Sequence, residues 1–271
     1  MGEVTVKLMT MGSCGRRLKY GIIYGKGRGC DMDLITSKRS WLLAPVITLL
    51  CSVVLLIVWA VMDPQTLEIT FDNKGQSPVE LMTLPLFALI VPLAWLCPPN
   101  GGGWKRQCGW SALWSVLGVM AIIRETDIHK MLFAEIWPDV VATFQGTVFK
   151  MRFLKAGNVP LMPKLFVLAF FIVFFVAVLL PLVRYIVPLI KGFFRLEPVA
   201  WTMAFFGGVS VMVLTVDRLP ANLRHAGIAA SDSLLALLKA FEEGGEAMMA
   251  LLALLAILQS HLIFARGRDV R

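Results

Sequence analysis

Charged residues are scarce in this chain. Asp, Glu, Lys and Arg make up 16% of its 271 residues, against about a quarter in soluble domains. That shortage leaves little material for a separate soluble domain. Histidine is rarer still, with three copies. The five cysteines, Cys14, Cys30, Cys51, Cys97 and Cys108, are odd in number and fall in segments expected inside or within a membrane. A disulfide framework is therefore not expected, and they read as free thiols. Cys97 and Cys108 flank one short loop, but no second pair or histidine completes a zinc knuckle.

Familiar catalytic signatures are also missing. No Gly-x-Ser-x-Gly elbow and no Gly-x-x-x-x-Gly-Lys phosphate loop occurs. Gly25-Lys26-Gly27-Arg28-Gly29 lacks a strand and helix around it and reads as flexible tail. Residues 1–31 hold no apolar core of signal-peptide length, and Val6 stands where a myristoylation motif needs Ser or Thr. Met32 is a candidate translation start, with residues 1–31 as an extension. The net charge of +8 does not form a basic stripe with interleaved aromatics, so nucleic acid is not an expected partner. Basic residues here suit membrane flanks and anionic headgroups.

What the chain has in abundance is long apolar runs. The spacing predicts spans over 41–61, 81–96, 110–123, 165–183, 199–216 and 247–264, since about 20 apolar residues cross a bilayer core of about 30 Å as a helix. The expected fold is all-α, a polytopic membrane bundle of about six transmembrane helices. Residues 1–40 read as a basic, flexible cytoplasmic tail, 41–264 as the transmembrane domain and 265–271 as a basic C-terminal tail. Asp63-Pro64, Pro98-Pro99 and Asp217-Arg218-Leu219-Pro220 read as helix stops, and 62–80 reads as a polar loop. Ala204 and Gly208 offer a small-residue face for close packing. Val140, Val141, Phe144 and Val148 suggest an interfacial helix within 131–163. Ser231 reads as the N-cap of the last helix.

With the N-terminus inside, the inner segments hold the majority of the 26 Lys and Arg residues. Both termini are then cytoplasmic, the basic 150–155 stretch opposing the bias. The expected setting is a bacterial cytoplasmic membrane, with the lipid bilayer as one partner and a larger membrane complex as another.

Two charged clusters break the apolar pattern. The 110–123 run covers only about 21 Å as a helix, so that helix is expected to continue through Arg124-Glu125-Thr126-Asp127-Ile128-His129-Lys130. Glu125 and His129 would then share a face. The second cluster is Glu242, Glu243 and Glu246, within an arc of about 100° that includes Lys239. Six spans put both clusters on the non-cytoplasmic side, where the third and sixth helices meet. Charge at membrane depth costs a few kcal/mol unless paired or wet, so that face looks into the bundle or a watery vestibule.

Three readings follow. Arg124 and Lys130 pair with the Glu242–Glu246 acids as a purely structural cluster, with Asp217 as a further counter-ion. Alternatively, Glu125, Asp127, His129, Lys130, Glu242, Glu243 and Glu246 bind a cation, a proton or a polar lipid headgroup, as a transport or assembly component. Or Glu125, His129, Glu242 and Glu246 ligate a divalent metal in a membrane-embedded hydrolase. His225 and His261 lie away from this group, in an expected outer loop and near the other end of the last span.

Overall fold

The apolar segments form helices in the computed structural model, which describes residues 35, 37, 39–72, 77–99, 104–126, 128–143 and 151–269. After a 3₁₀ turn at Ser40–Leu42 come α1 (Leu43–Val61), α2 (Pro64–Asp72), α3 (Pro78–Leu96), α4 (Trp104–Glu125) and α5 (Ile128–Ile136). Then follow α6 (Pro138–Thr143), α7 (Met151–Lys155), α8 (Leu161–Phe194), α9 (Pro198–His225) and α10 (Asp232–Asp269). No strand is present among the described residues. Four helices are long and apolar enough to cross a membrane there: Ser40–Val61, Pro78–Leu96, Pro198–His225 and Asp232–Ile263. The expected fourth span lies in α8, whose apolar stretches are Leu161–Val176 and Tyr185–Phe194, and the expected third lies in the 22-residue α4. The protein is an all-α membrane bundle.

Two of the three expected stops hold: α1 ends at Val61 ahead of Asp63-Pro64 and α3 at Leu96 ahead of Pro98-Pro99, whereas Asp217-Arg218-Leu219-Pro220 does not stop α9. Asp63 starts α2: its Oδ1 accepts the N–H groups of Gln65 and Thr66 at 3.1 and 3.0 Å, and Pro64 takes the first helical position, where no N–H is needed. Residues 62–80 thus contain a short helix rather than only a polar loop. The Thr66 hydroxyl also donates to Asp63 at 2.6 Å, and these bonds hold the Asp63 carboxyl below its usual value. Pro220 sits inside α9. A proline removes one N–H, which a helix near the aqueous edge tolerates. That helix ends instead at Gly227, with φ +73°. There Gly227 N–H bonds Arg224 O at 3.1 Å and Ile228 N–H bonds Leu223 O at 3.0 Å, a Schellman motif. The fourth run does not end its helix at residue 183: α8 continues to Phe194, 34 residues and about 51 Å in all.

The last helix is the hub. Ser231 caps it, its hydroxyl accepting Leu234 N–H at 3.3 Å. It packs against α1, α2, α3 and α9, and 56% of its apolar window is buried, against 11% for the first span. Ala250, Ala253 and Ala256 meet Phe87, Ile90, Trp110 and Trp114 on one side. Met248 and Leu252 meet Ala44, Val209 and Val213 on another. Ala236 and Ala240 meet Leu55, Leu67 and Phe71, so α2 covers the start of α10. Residues of the 131–163 connection form a satellite core, with Phe133, Val140, Phe153 and Val159 against Val167 of α8. Val140 is buried there and Val141 is exposed; Phe144 and Val148 lie outside the described residues.

Close approach to the hub depends on a different pair of small residues from those expected. Ala204 is exposed, and Gly208 is exposed with no heavy atom within 4 Å of an added Cβ. On α10, a Cβ at Gly244 would lie 2.5 Å from Leu55, and one at Gly245 2.5 Å from Val213. A Gly245→Val substitution is expected to cost about 1–3 kcal/mol through overpacking, whereas Gly208→Ala is expected to be neutral. Thermal unfolding in detergent micelles checks both; equal midpoints for the two variants would contradict this packing.

Candidate functional site

Local sequence determines how charge reaches the bundle. Ser77 caps α3 through its hydroxyl, which accepts Glu80 N–H at 3.0 Å. Pro78 fills the first position and Glu80 stands in the first turn. Helix α4 ends at Glu125, and Thr126 closes it: its N–H and hydroxyl both reach Ile122 O, at 2.9 and 2.7 Å. The expected continuous helix through Lys130 is therefore wrong. A separate helix starts at Ile128. Glu125 and His129 do not share one helical face. The side chains of Asp127, His129 and Lys130 lie outside the described residues.

The end of α4 meets α10 at its acids. Arg124 Nη2 lies 2.5 Å from Glu246 Oε1 and 3.8 Å from Glu242 Oε1. Lys239 Nζ lies 3.2 Å from Glu242 Oε2 and 2.9 Å from Glu243 Oε1. Residues three and four apart on a helix are neighbours, so α10 supplies both partners of the Lys239 pairs. Glu243 and Glu246 are buried. Glu125 also reaches the Glu246 carboxyl, and Asp217 of α9 acts on Arg124 by its charge.

Glu80 joins from α3. One carboxylate oxygen each from Glu80, Glu125 and Glu243 lie within 4.8 Å of one another. Among the described side chains, five carboxyls from three helices thus gather with two cations. Of the residues expected to hold a metal, Glu125 belongs to the converging trio, while Glu242 and Glu246 are held by Arg124 and Lys239.

Compared with known proteins, the chain matches no family model, no curated protein and no solved structure.

A cleft of about 710 Å³ opens beside the cluster. Its walls come from the start of α2, the end of α9 and the first turns of α10, and they carry Asp63, Glu68, Asp232, Lys239 and Glu242. Water therefore has a route to the outer acids. The other titratable groups singled out in the sequence stand apart. His225 is exposed in the last turn of α9, and His261 Nδ1 lies 2.9 Å from Pro98 O at the far end of α10. Cys51, Cys97 and Cys108 are free thiols; Cys14 and Cys30 lie outside the described residues.

Glu80 is the residue that sequence reasoning missed. Its signal was Ser77-Pro78-Val79-Glu80, a capping pattern that moves the start of α3 back from 81 and brings Glu80 to the membrane edge.

Arg124 is expected to matter for folding. Removing it leaves Glu246 buried without its cation, which costs about 3–5 kcal/mol for a fully buried pair. The Arg124 side chain is 48% exposed, so the cost for Arg124→Gln falls below that range. Adding Glu246→Gln should restore much of the loss, and thermal unfolding of the single and double variants measures the coupling. Simple additivity would mean that the contact contributes nothing.

Proposed function

We propose that this protein binds a cation at the membrane edge, in the carboxyl cluster shared by α3, α4 and α10. The observation that carries this reading is the convergence of Glu80, Glu125 and Glu243. Carboxylates so close repel one another, and a proton or metal cation between them removes the repulsion. Among the described side chains, Arg124 and Lys239 offset part of the negative charge of the five carboxyls.

Three carboxylate oxygens are hard donors. They suit a cation of the magnesium, calcium or manganese kind better than zinc, which favours nitrogen and sulfur. Asp63, Glu68 and Asp232 along the cleft add a negative field that concentrates cations at its mouth. Lys239 touches both Glu242 and Glu243, so it links the cleft to the inner trio. The protein then acts as a cation-binding component of a transport or assembly process, in a bacterial cytoplasmic membrane with both termini inside. The hydrolase reading draws on His129, whose side chain lies outside the described residues.

Manganese binding to the purified protein tests the proposal. Electron paramagnetic resonance at neutral pH should show a single saturable Mn²⁺ site. Glu243→Gln should weaken it at least tenfold, about 1.4 kcal/mol. Binding should fall as the pH is lowered, because protons compete for the same oxygens. No saturable binding, or equal binding by Glu243→Gln, would reject a metal site here.

A further inference from the structure

Lys239 stands at the boundary between the carboxyl cluster and the cleft beside it. Its ammonium lies 2.9 Å from Glu243 Oε1 and 3.2 Å from Glu242 Oε2. Its side chain is 26% exposed and lines the cleft. Glu243 in turn converges with Glu80 and Glu125. One lysine therefore holds a carboxylate that a bound cation would need.

The spacing along α10 sets where that lysine can go. At about 100° per residue, Asp232, Leu235, Lys239 and Glu243 follow one face of the helix. Lys239 thus has acids on both sides. Glu242 and Glu243 lie about one turn deeper, and Asp232 lies about two turns back, in the cleft wall. Glu68 of α2 lines the same cleft. Both Asp232 and Glu68 are exposed, whereas Asp63 nearby already accepts the N–H groups of Gln65 and Thr66. Lys239 precedes its two glutamates, the less favoured order for an ion pair on a helix. Helical side chains also lean toward the N-terminus, which for α10 is the cleft side. A released ammonium on a flexible four-carbon stem is readily hydrated there.

We propose that Lys239 is a built-in competitor for the cation site: its ammonium holds Glu243 while no metal ion is bound, and an entering metal ion drives it into the cleft toward Asp232 and Glu68. Its role rests on the cation-binding reading of the trio, and it sets how tightly the ion is held. Two positive charges on Glu243 repel each other, so metal entry and lysine departure are linked. The linkage also runs in reverse. A returning ammonium helps to expel the ion, which suits a component that must bind a cation and then let it go.

Amine labelling of the intact protein in detergent, with and without saturating Mn²⁺, tests the proposal. A water-soluble acylating reagent, read residue by residue by mass spectrometry, should modify Lys239 several-fold faster when Mn²⁺ is bound. Lys191, exposed near the end of α8, is the control and should not change. Variants give a second reading through Mn²⁺ affinity. Lys239→Met should tighten binding. Lys239→Arg keeps the charge but grips carboxylates with a planar fork of N–H groups, and it should weaken binding several-fold. A lysine acting only through its field would leave the Lys239→Arg affinity unchanged, and that result would overturn the proposal. Saturable Mn²⁺ binding that depends on Glu243, with unchanged labelling of Lys239, would also overturn it while leaving the cation site standing. No saturable binding would overturn both. Labelling uses the unaltered chain, so it decides even where a variant fails to fold.

Discussion

Burial of charge inside an apolar bundle is the constraint on which this structure turns. Glu246 is 2% exposed on the most buried of the long helices. In lipid or in a dry core such a group needs a partner. Arg124 supplies one from the end of α4, and Lys239 supplies the other for Glu243 from one turn back along α10. These pairings bring the end of α4 beside the middle of α10. Gly244 and Gly245 allow Leu55 of α1 and Val213 of α9 to press against α10 at the same level. Acids and glycines therefore occupy neighbouring positions in Glu242-Glu243-Gly244-Gly245-Glu246 for complementary reasons. The acids need helix ends to come close, and the glycines let other helices approach.

The two ends of the bundle differ accordingly. One end gathers carboxyls from the start of α3, the end of α4 and the first half of α10, with α2 packed over the outer part of α10 through Leu67 and Phe71. That cover leaves an acid-lined cleft beside the cluster. The other end is aromatic, with Trp201 stacked on Phe193 at 4.6 Å and close to Trp41 at 4.7 Å. Aromatic rings at a bundle end suit the headgroup level of a membrane. The buried Gln259 joins Thr202 and Ser40 there without introducing charge. Buried acids are thus gathered at one end, while a buried neutral hydrogen-bonded group, Gln259 with Thr202 and Ser40, lies at the other.

The sequence made the apolar runs easy to read because hydropathy over about 20 residues is a strong signal. It also pointed to the right helix end for Arg124 and Glu125 and the right stretch of α10. The breaks were harder. Asp63-Pro64 ends one helix, as expected, but it also begins the next, and Ser77-Pro78 begins α3, because a proline in first position loses nothing. Pro220 looks like an end, but a single missing N–H is tolerated and Gly227 terminates α9 one motif later. Glu80 escaped notice because the apolar count starts at Leu81. Gly244 and Gly245 were visible, but which glycine meets a neighbouring helix is a property of tertiary packing. Gly208 has the same composition signal and faces outward.

The central claim is that the end of α4 and the acids of α10 form one water-reachable cluster. Thiol cross-linking in native membranes measures this most directly, in a chain stripped of its five cysteines. A short bifunctional maleimide should join Glu125→Cys to Glu243→Cys efficiently, and it should not join Glu125→Cys to Leu258→Cys, which lies further along the same helix. Efficient coupling of the second pair, or none of the first, would contradict the account.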